Sequence, residues 1–417
     1  MKFSTTTRLI ALALLAHLAL SWPLWQPGSR VLFPLLPAFG IPFPQNEIWA
    51  GIQAWGTVGF TLLLLWMPQR RWVMAAVTAW FLWMIVQDMN RLQPWMYFYL
   101  LAWGLLLAHT PGKEAGTQTA LRWLLAAVYA WGGFNKLTPY FAEDNFPWFC
   151  EAFFWTKPLG QWPAAGYGVA LVELLFAPGL LWRVSRPAFR WIVPAFHLFI
   201  IVALSPLGLD WNTVVIPWNV AMGGMVWVLF GPTPILPTKV RDRLSPKGEG
   251  GLIAGNLEPV LIKDDLILRN LAPRNAIKPP SPLGEGLGVG LLALAWLLPA
   301  FNIFHLWPEP LSWKMYSNTQ TEATFYCNRM ADISVEWEQL WDKHGFDGRR
   351  KLLLDDWAFD ELHVPVYNCR RTFLQTARYL CEKSIHCDTS GLMLLTVNRW
   401  DKSAEKWETI PCAQIAR

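Results

Sequence analysis

The sequence predicts an all-α polytopic membrane domain of about nine transmembrane helices, followed by a small α+β extramembrane domain. The composition is the first observation behind this prediction. Of the 417 residues, 53% are hydrophobic, 16% are charged and 28 are Trp, which is more apolar and richer in Trp than an average soluble domain. The second observation is that near-spanning apolar runs occur only before Trp307, whereas the residues after it are mixed in polarity.

About nine apolar runs define the predicted spans and the domain boundaries. Residues 1–231 form the main transmembrane domain, residues 287–306 form the last transmembrane helix, and residues 307–417 form the tail. The first run also fits a cleavable signal peptide with Ser21 at the cleavage site, but the topology derived below requires that this run is kept. The runs are 9–25, 47–67, 72–87, 95–110, 120–136, 164–182, 190–206, 213–231 and 287–306.

Basic residues in the loops predict the orientation of the chain. Cytoplasmic loops of membrane proteins are rich in Lys and Arg, and these residues fall in alternate loops if the N-terminus is cytoplasmic. The tail then lies on the exterior side of the membrane. The net charge of +5 is mostly this topology signal, and we expect no nucleic-acid partner. The predicted cytoplasmic loops contain Arg70, Arg71, Lys113, Arg183, Arg186, Arg190, Lys239, Arg241, Arg243 and Lys247, and the exterior loops contain Arg30, Arg91 and Lys157.

A Pro- and Gly-rich stretch at residues 232–286 predicts a flexible cytoplasmic loop before the last span. This composition buries little apolar surface, and its two ends repeat as "SPKGEG" and "SPLGEG". The stretch resembles the translated intergenic repeats of bacterial genes. We therefore expect a bacterial source and no functional site in this loop. With the orientation above, the chain is then a protein of the bacterial inner membrane with a periplasmic tail.

Cysteine placement is consistent with an exterior tail. Cys150 is in a predicted exterior loop, and the other cysteines are in the tail. An oxidising compartment lets some of them pair, and Cys381 with Cys387 is the nearest candidate pair. The number in the tail is odd, so one thiol stays free or pairs with Cys150. A zinc site is the alternative, but no C-x-x-C spacing supports it. The remaining tail cysteines are Cys327, Cys369 and Cys412.

Ionisable side chains within the predicted spans are the candidate functional residues, because a charge in hydrocarbon is costly and usually faces a cavity. Lys136 ends the fifth run, Glu173 lies mid-way along the sixth, and His197 lies in the outer half of the seventh. Asp210 and Asn212 follow in the next exterior turn. These depths predict one catalytic cavity in the outer leaflet. Two structural alternatives stay open: Lys136 snorkels to the headgroups, or Glu173 and His197 form a hydrogen-bonded pair between helices.

The tail predicts a small α+β domain that disulfides help to stabilise. The segments "ATFYC" and "GLMLLTV" have the apolar and β-branched content of strands. The segment "NCRRTFLQTARYLC" predicts an amphipathic helix with Phe373, Ala377, Leu380 and Cys381 facing inward. A cluster of acids suggests a metal site, but we favour helix capping and a solvated surface, and so expect no metal. These acids are Asp355, Asp356, Asp360 and Glu361.

Two segments resemble the vitamin-K-dependent γ-carboxylases and their wider bacterial group, the HTTM membrane domain. The segment "YAWGGFNKLTPYF" is similar to the one in which an aromatic, small-residue, Lys-Leu stretch ends a membrane helix. The segment "LLWRVSRPAFRWIVPAFHLFII" is similar to the next helix pair, and the resemblance covers about residues 8–231. In the tail, "PLSWKMYSNTQTEATFYC" and "DDWAFDELHVPVYN" resemble further segments of these relatives.

The resemblance implies quinol-dependent base or redox chemistry in the outer-leaflet cavity. It implies that Lys136 is the base that deprotonates a reduced quinone similar to vitamin K hydroquinone, and that His197 orients the ligand or donates a proton. We expect Trp95, Asp210 and Asn212 at the quinone. Trp95 stands where carboxylases of the family have a histidine, and the tail is shorter than their luminal domain. The substrate therefore does not follow from the resemblance.

A second hypothesis comes from another functional class. In it, the chain is a non-catalytic membrane module whose exterior tail binds or assembles a protein or peptide partner, with the lipid bilayer as its other partner. A transporter is less consistent with the sequence, because we find no internal repeat with broken half-helices. A quinone that copurifies with the protein would discriminate the enzyme from the module.

Overall fold

The computed structural model describes residues 2–40, 46–109, 114–231, 284–330, 349–383 and 387–415. These residues form a helical bundle followed by a small sheet domain. The loop predicted at residues 232–286 lies outside the described residues as far as residue 283. The helices of the bundle are α1 (Lys2–Leu20), α2 (Trp22–Trp25), α3 (Glu47–Trp66), α4 (Arg71–Gln87), α5 (Pro94–Leu107), α6 (Glu114–Lys136), α7 (Phe146–Cys150), α8 (Pro163–Leu181), α9 (Arg186–Leu204), α10 (Val215–Phe230) and α11 (Gly284–Trp296).

Five helical segments among the described residues are long and apolar enough to cross a bilayer, which supports a multi-pass membrane protein. The apolar helices α4, α5 and α10 are shorter. Helix α6 has 23 residues, but Arg122 interrupts its apolar stretch and Lys136 ends it. Each of the nine predicted runs thus overlaps a helix. Among the described residues, however, five helical segments have both the length and the composition of a membrane span. The five segments are Phe3–Leu20, Glu47–Trp66, Pro163–Leu181, Arg186–Leu204 and Gly286–Phe304.

Aromatic residues both fill the bundle and face outward from it. Helix α5 is apolar on all sides and is buried, as such helices usually are, with Phe98, Tyr99 and Trp103 fully enclosed. The outer faces of other helices expose large Trp side chains, which suits contact with lipid and its headgroup region. These exposed residues include Trp55, Trp66, Trp72, Trp182 and Trp191.

The tail folds as a four-stranded antiparallel sheet with helices packed on it. The strands are β1 (Glu322–Met330), β2 (Arg349–Leu353), β3 (Cys387–Thr396) and β4 (Lys406–Pro411), in the order β2-β1-β3-β4. The helices are α12 (Leu354–Leu362), α13 (Arg370–Lys383) and α14 (Cys412–Ile415). The two predicted strands fall on β1 and β3, and the predicted helix is α13. The prediction of a small sheet-and-helix tail is confirmed, and the side chains predicted to face inward are buried at Phe373, Ala377 and Leu380.

Two disulfides join elements of the tail, and neither is the pair expected from the sequence. Cys327 is bonded to Cys387 across β1 and β3, and Cys381 is bonded to Cys412, with Cα atoms 5.6 Å apart in each pair. The expected Cys381–Cys387 pair is therefore wrong. Although these residues are close in sequence, Cys387 begins β3 beside β1, whereas Cys381 lies on α13 and faces α14. The free cysteines among the described residues are Cys150 and Cys369.

The tail covers one end of the bundle and is held there by hydrogen bonds. Glu361 Oε2 accepts the backbone N–H groups of Val31, Leu32 and Phe33 at N···O distances of 3.1, 2.8 and 2.8 Å. The prediction of a solvated surface acid is therefore wrong for Glu361, because the segment after α2 needs an acceptor for these donors. Further bonds between bundle and tail join Asn135 to Ser312, Gln93 to Pro365, Asn90 to Tyr367 and Asn145 to Tyr316.

Candidate functional site

Two consecutive glycines bring the candidate residues together. Gly132 and Gly133 lie on α6 where it crosses α8, and a Cβ atom at Gly133 would lie 2.3 Å from the backbone nitrogen of Leu174. A residue with a side chain cannot approach the neighbouring backbone this closely, so the crossing requires glycine. Lys136 lies one turn after Gly132, and Glu173 directly precedes Leu174. The close crossing therefore places the Lys136 and Glu173 side chains in contact.

Lys136 and Glu173 form a buried ion pair. Lys136 Nζ donates to Oε1 and Oε2 of Glu173 at 3.1 and 2.9 Å, and the two side chains are 11% and 12% exposed. Taking two charges out of water is favourable only when they pair with good geometry. Neither structural alternative from the sequence matches this arrangement, because the Lys136 ammonium is buried against Glu173 rather than exposed, and the partner of Glu173 is Lys136 rather than His197.

His197 is buried and is held from two sides. Tyr129 Oη lies 2.8 Å from His197 Nε2, and Asn219 Oδ1 lies 2.7 Å from His197 Nδ1. Asn219 Nδ2 donates to the carbonyl oxygen of Val215, which fixes the amide with Oδ1 toward the imidazole. His197 Nδ1 therefore donates to Asn219, and Nε2 of the neutral ring accepts the Tyr129 hydroxyl. Helices α6 and α10 thus fix both the orientation and the tautomer of a histidine on α9.

These side chains line a single cavity of about 340 Å³, which we call the ion-pair cavity. Lys136, Glu173, His197, Tyr129 and Asn219 supply polar groups, together with Thr156, Tyr316 and the thiol of Cys150, and most of the remaining wall is aromatic or aliphatic. Ligand pockets in proteins are typically ~300–1,000 Å³ and apolar, with a few convergent polar groups. The structure therefore brings together the three residues predicted to be catalytic. The apolar wall includes Phe141, Phe149, Val169, Phe196, Ile200 and Met222.

The three residues expected at the quinone lie outside the ion-pair cavity. Trp95 stacks on His17 with ring centroids 4.1 Å apart, and it lines a second cleft together with Asn212. Asp210 is exposed and lines neither space. The two spaces are neighbours that share Val215, Trp218, Met315 and Tyr316 in their walls.

Sequence reasoning missed Tyr129 and Asn219, although each had a signal. Asn219 is a lone amide in the apolar segment "VIPWNVAMGGMVW", and a polar residue within a span is usually functional. Tyr129 precedes Lys136 by seven residues on α6, which places both on the same helix face. Tyrosine is common in apolar helices, so this spacing alone did not single it out.

Comparison of the chain with protein-family models, curated proteins and solved structures finds no match. The part of the chain that the structure describes also contains no group of three or more His, Cys, Asp or Glu side chains placed to hold a metal ion. The residues of the ion-pair cavity are the basis for the function proposed below.

Proposed function

We propose that this chain is a membrane enzyme that resembles the vitamin-K-dependent γ-carboxylases and their HTTM relatives and uses a reduced quinone in the ion-pair cavity. The main supporting observation is the buried Lys136–Glu173 pair beside the oriented His197 in an otherwise apolar space. A charged pair in such surroundings is costly to keep and is a typical mark of a functional site. The proposed chemistry is quinol-dependent proton abstraction or redox chemistry, on a substrate that the site does not identify.

The lining of the cavity suits a quinone. Phe149, Phe196 and Ile200 provide apolar surface for a ring and a prenyl chain, and Lys136 and Glu173 provide a donor and an acceptor for quinone oxygens. When bound, a reduced quinone supplies hydroxyl protons and reducing equivalents. The side chains that this proposal uses, Lys136, Glu173 and His197, lie on α6, α8 and α9.

In this proposal the two side chains of the ion pair have different roles: Glu173 accepts the proton, and Lys136 stabilises the resulting negative charge. A carboxylate has about four acceptor positions, and Lys136 occupies two of them on Glu173. Glu173 can therefore receive a hydroxyl proton at either Oε atom. Lys136 Nζ stays charged and stabilises the negative charge that develops in the cavity. In this form of the proposal Lys136 is the electrostatic partner of the base, rather than the sole base that the resemblance implies.

The proposal includes a topology in which about nine helices cross a bacterial inner membrane, with a cytoplasmic N-terminus and a periplasmic tail. In support, basic side chains gather at the end of α6 that is far from Lys136 and the tail. Arg122 donates to the carbonyl oxygen of Leu229 at 2.8 Å, and the Arg190 guanidinium lies 4.1 Å from the ring centroid of Trp227. Basic residues are expected at the cytoplasmic face.

The proposal is tested by purification of the full chain in a mild detergent, followed by solvent extraction and mass spectrometry for quinones. We expect a quinone in near-equal amount to the protein, and its loss from the double variant Lys136→Met, Glu173→Leu. The exposed pair Lys157–Glu151 provides a matched control, because Glu151→Gln should retain the quinone. A wild-type protein that neither contains a quinone nor binds an added one would exclude the proposal.

A non-catalytic module with a partner-binding tail is the second candidate. It is favoured by β4, which is an edge strand with an exposed Trp407, because edge strands offer unpaired backbone groups to other chains. In cells that depend on the protein, this candidate predicts that Trp407→Ser removes function and that the double variant Lys136→Met, Glu173→Leu, which should keep the bundle folded, does not. The enzyme proposal predicts the reverse result.

A further inference from the structure

A second cleft, of about 410 Å³, lies between the tail and the exterior ends of the bundle helices, and we call it the tail cleft. Aromatic rings from both sides meet in its wall. The ring centroid of Trp211, which precedes α10, lies 6.0 Å from that of Trp148 on α7 and 5.7 Å from that of Phe359 on α12. Aromatic rings carry negative charge on their faces, so a wall that contains three of them favours a cationic ligand.

The charged groups of the tail cleft also favour a cation. Asp355 lines the cleft one turn before Phe359 on α12, on the same helix face. Burial raises the pKa of Asp355 to about 7, against the hydrogen bond from Val366 N–H, and the charges of Asp356, Glu309 and Glu322 raise this pKa further. Because three neighbouring acids raise its pKa, the Asp355 carboxyl group lies in a region of negative electrostatic potential.

Lys314 lies in the described wall of the tail cleft, but its positive charge does not cancel the negative electrostatic potential there. Lys314 Nζ is 3.3 Å from Glu309 Oε1 and also donates to the carbonyl oxygen of Thr319. These two oxygen acceptors fix the position of the Lys314 ammonium group, and Lys314 is 5% exposed. The positive charge is therefore matched by Glu309, which leaves Asp355 as the acid of the cleft that faces no cationic partner among the described residues.

A buried acceptor provides an independent observation. Asn368 lines the tail cleft and is 6% exposed, yet its Oδ1 has no hydrogen-bond partner among the described residues. A buried acceptor without a donor costs about 1–3 kcal/mol. Asn368 Oδ1 therefore has no donor in the described part of the chain, and the Asp355 carboxylate accepts the backbone N–H of Val366 at 3.1 Å and can accept a further N–H donor.

We propose that the tail cleft binds a primary ammonium group attached to an apolar body. The ammonium donates to Asp355 and Asn368, and the apolar body packs on Trp148, Trp211 and Phe359. The source is either a soluble amine or the ethanolamine headgroup of a membrane lipid, because the cleft lies where the tail meets the exterior ends of the helices. This site adjoins the ion-pair cavity, with which it shares wall residues such as Trp218 and Met315, but its polar groups are different and it does not depend on the quinone proposal.

The test is isothermal titration of the full chain in detergent with 2-phenylethylammonium, and with 2-phenylethanol as its neutral isostere. We expect the ammonium to bind at least about tenfold more tightly than the alcohol, because a charge-assisted hydrogen bond contributes about 1.5–3 kcal/mol. Asp355→Asn should weaken ammonium binding by at least about tenfold. Asp360→Asn, an exposed acid on the same helix, is the matched control and should bind as the wild type does.

A second variant, which is expected to stay folded, tests the same binding site. Trp211 is 43% exposed, so Trp211→Leu should keep the melting temperature while weakening ammonium binding roughly threefold or more through the lost cation–π contact. Binding should also tighten from pH 6 to pH 8 as Asp355 ionises, since the amine stays protonated over this range. Equal affinity for amine and alcohol, or unchanged affinity in both variants, would overturn the proposal.

The source of the amine is distinguished in lipid nanodiscs. If a lipid headgroup occupies the cleft, nanodiscs that contain phosphatidylethanolamine should weaken the apparent affinity for 2-phenylethylammonium relative to nanodiscs of phosphatidylglycerol. Equal affinity in the two lipids, with the Asp355→Asn loss retained, assigns the cleft to a soluble amine. Absence of ammonium binding in either lipid and in detergent contradicts the proposal.

Discussion

At the scale of single residues, Lys136 and Glu173 link the stability of the bundle to its proposed chemistry. Each charge is buried and depends on the other, so removal of one leaves the other without compensation. Glu173→Gln should lower the free energy of unfolding by about 3–5 kcal/mol. The double variant Lys136→Met, Glu173→Leu should recover most of this loss, because a well-packed apolar pair can replace a buried ion pair. Thermal unfolding of the three proteins in one detergent measures this, and additive losses in the double variant would contradict the pairing.

Asp355 gives a pH-dependent prediction at the same scale. Its pKa is about 7 in the folded protein and about 3.9 in an unfolded chain. The folded state thus keeps its proton when the unfolded chain has lost it, so this group reduces stability as pH rises from about 4 to about 7. Asp355→Asn removes that loss, and its melting temperature relative to wild type should rise between pH 5 and pH 8. Asp360→Asn should show no such rise. A constant difference across this range would contradict the assignment.

Single residues also show the limit of the sequence. Lys136, Glu173 and His197 could be predicted because an ionisable group in an apolar run is costly and therefore noticeable. The partner of Glu173 could not be chosen, since that choice depends on the crossing of α6 and α8. Trp95 and Asn212 were expected at the same cavity, but they line the neighbouring cleft, and no sequence pattern indicates that the two spaces are distinct.

At the scale of elements, the crossing of α6 and α8 depends on Gly133. A Cβ atom there would lie 2.3 Å from Leu174 N and 2.8 Å from the carbonyl oxygen of Ala170. Because these are backbone atoms, Gly133→Ala forces the helices apart and should cost about 1–3 kcal/mol or more. Gly168, also on α8, has no atom within 4 Å of its added Cβ, so Gly168→Ala should be neutral or slightly stabilising. Melting temperatures of both variants measure the difference, and equal effects would contradict the role of the crossing.

Elements differ in how far local sequence determines them. The strands β1 and β3 and the helix α13 follow from the pattern of their own side chains, so they could be predicted. The cysteine pairs could not, because Cys381 meets Cys412 and Cys327 meets Cys387 only after the sheet has formed. Proximity along the chain favoured the wrong pair, and pairing cannot be deduced from spacing alone.

At the scale of the whole molecule, the tail and the basic end of α6 lie at opposite ends of the bundle, which leads to a topological prediction. Reporter fusions after Gly231 and after Arg417 should give opposite compartments, with Gly231 cytoplasmic and Arg417 periplasmic. A fusion after Arg71 should match the one after Gly231. The same compartment for both of the first two fusions would contradict the proposed orientation.

The number of spans shows why the whole molecule is harder to predict than its helices. Apolar runs identify where helices form, but α5 is short, and its side chains are buried by protein on all sides. Hydropathy alone does not distinguish burial in a bundle from contact with lipid. The helix that contains Lys136 is too polar for a simple span because it carries Arg122 and Lys136, whose charged groups contact Leu229 and Glu173 of other helices.

The central claim is that the ion-pair cavity holds a quinone, and photolabelling tests it most directly. A photoactivatable naphthoquinol analogue, added to the full chain in detergent, should label peptides from α9 and α7 that contain Ile200 and Phe149, which line the cavity. An excess of unlabelled quinol should remove this label, and the double variant Lys136→Met, Glu173→Leu should lose it. Labelling confined to the outward faces near Trp191 and Trp55, unchanged by competitor and by the variant, would contradict the account.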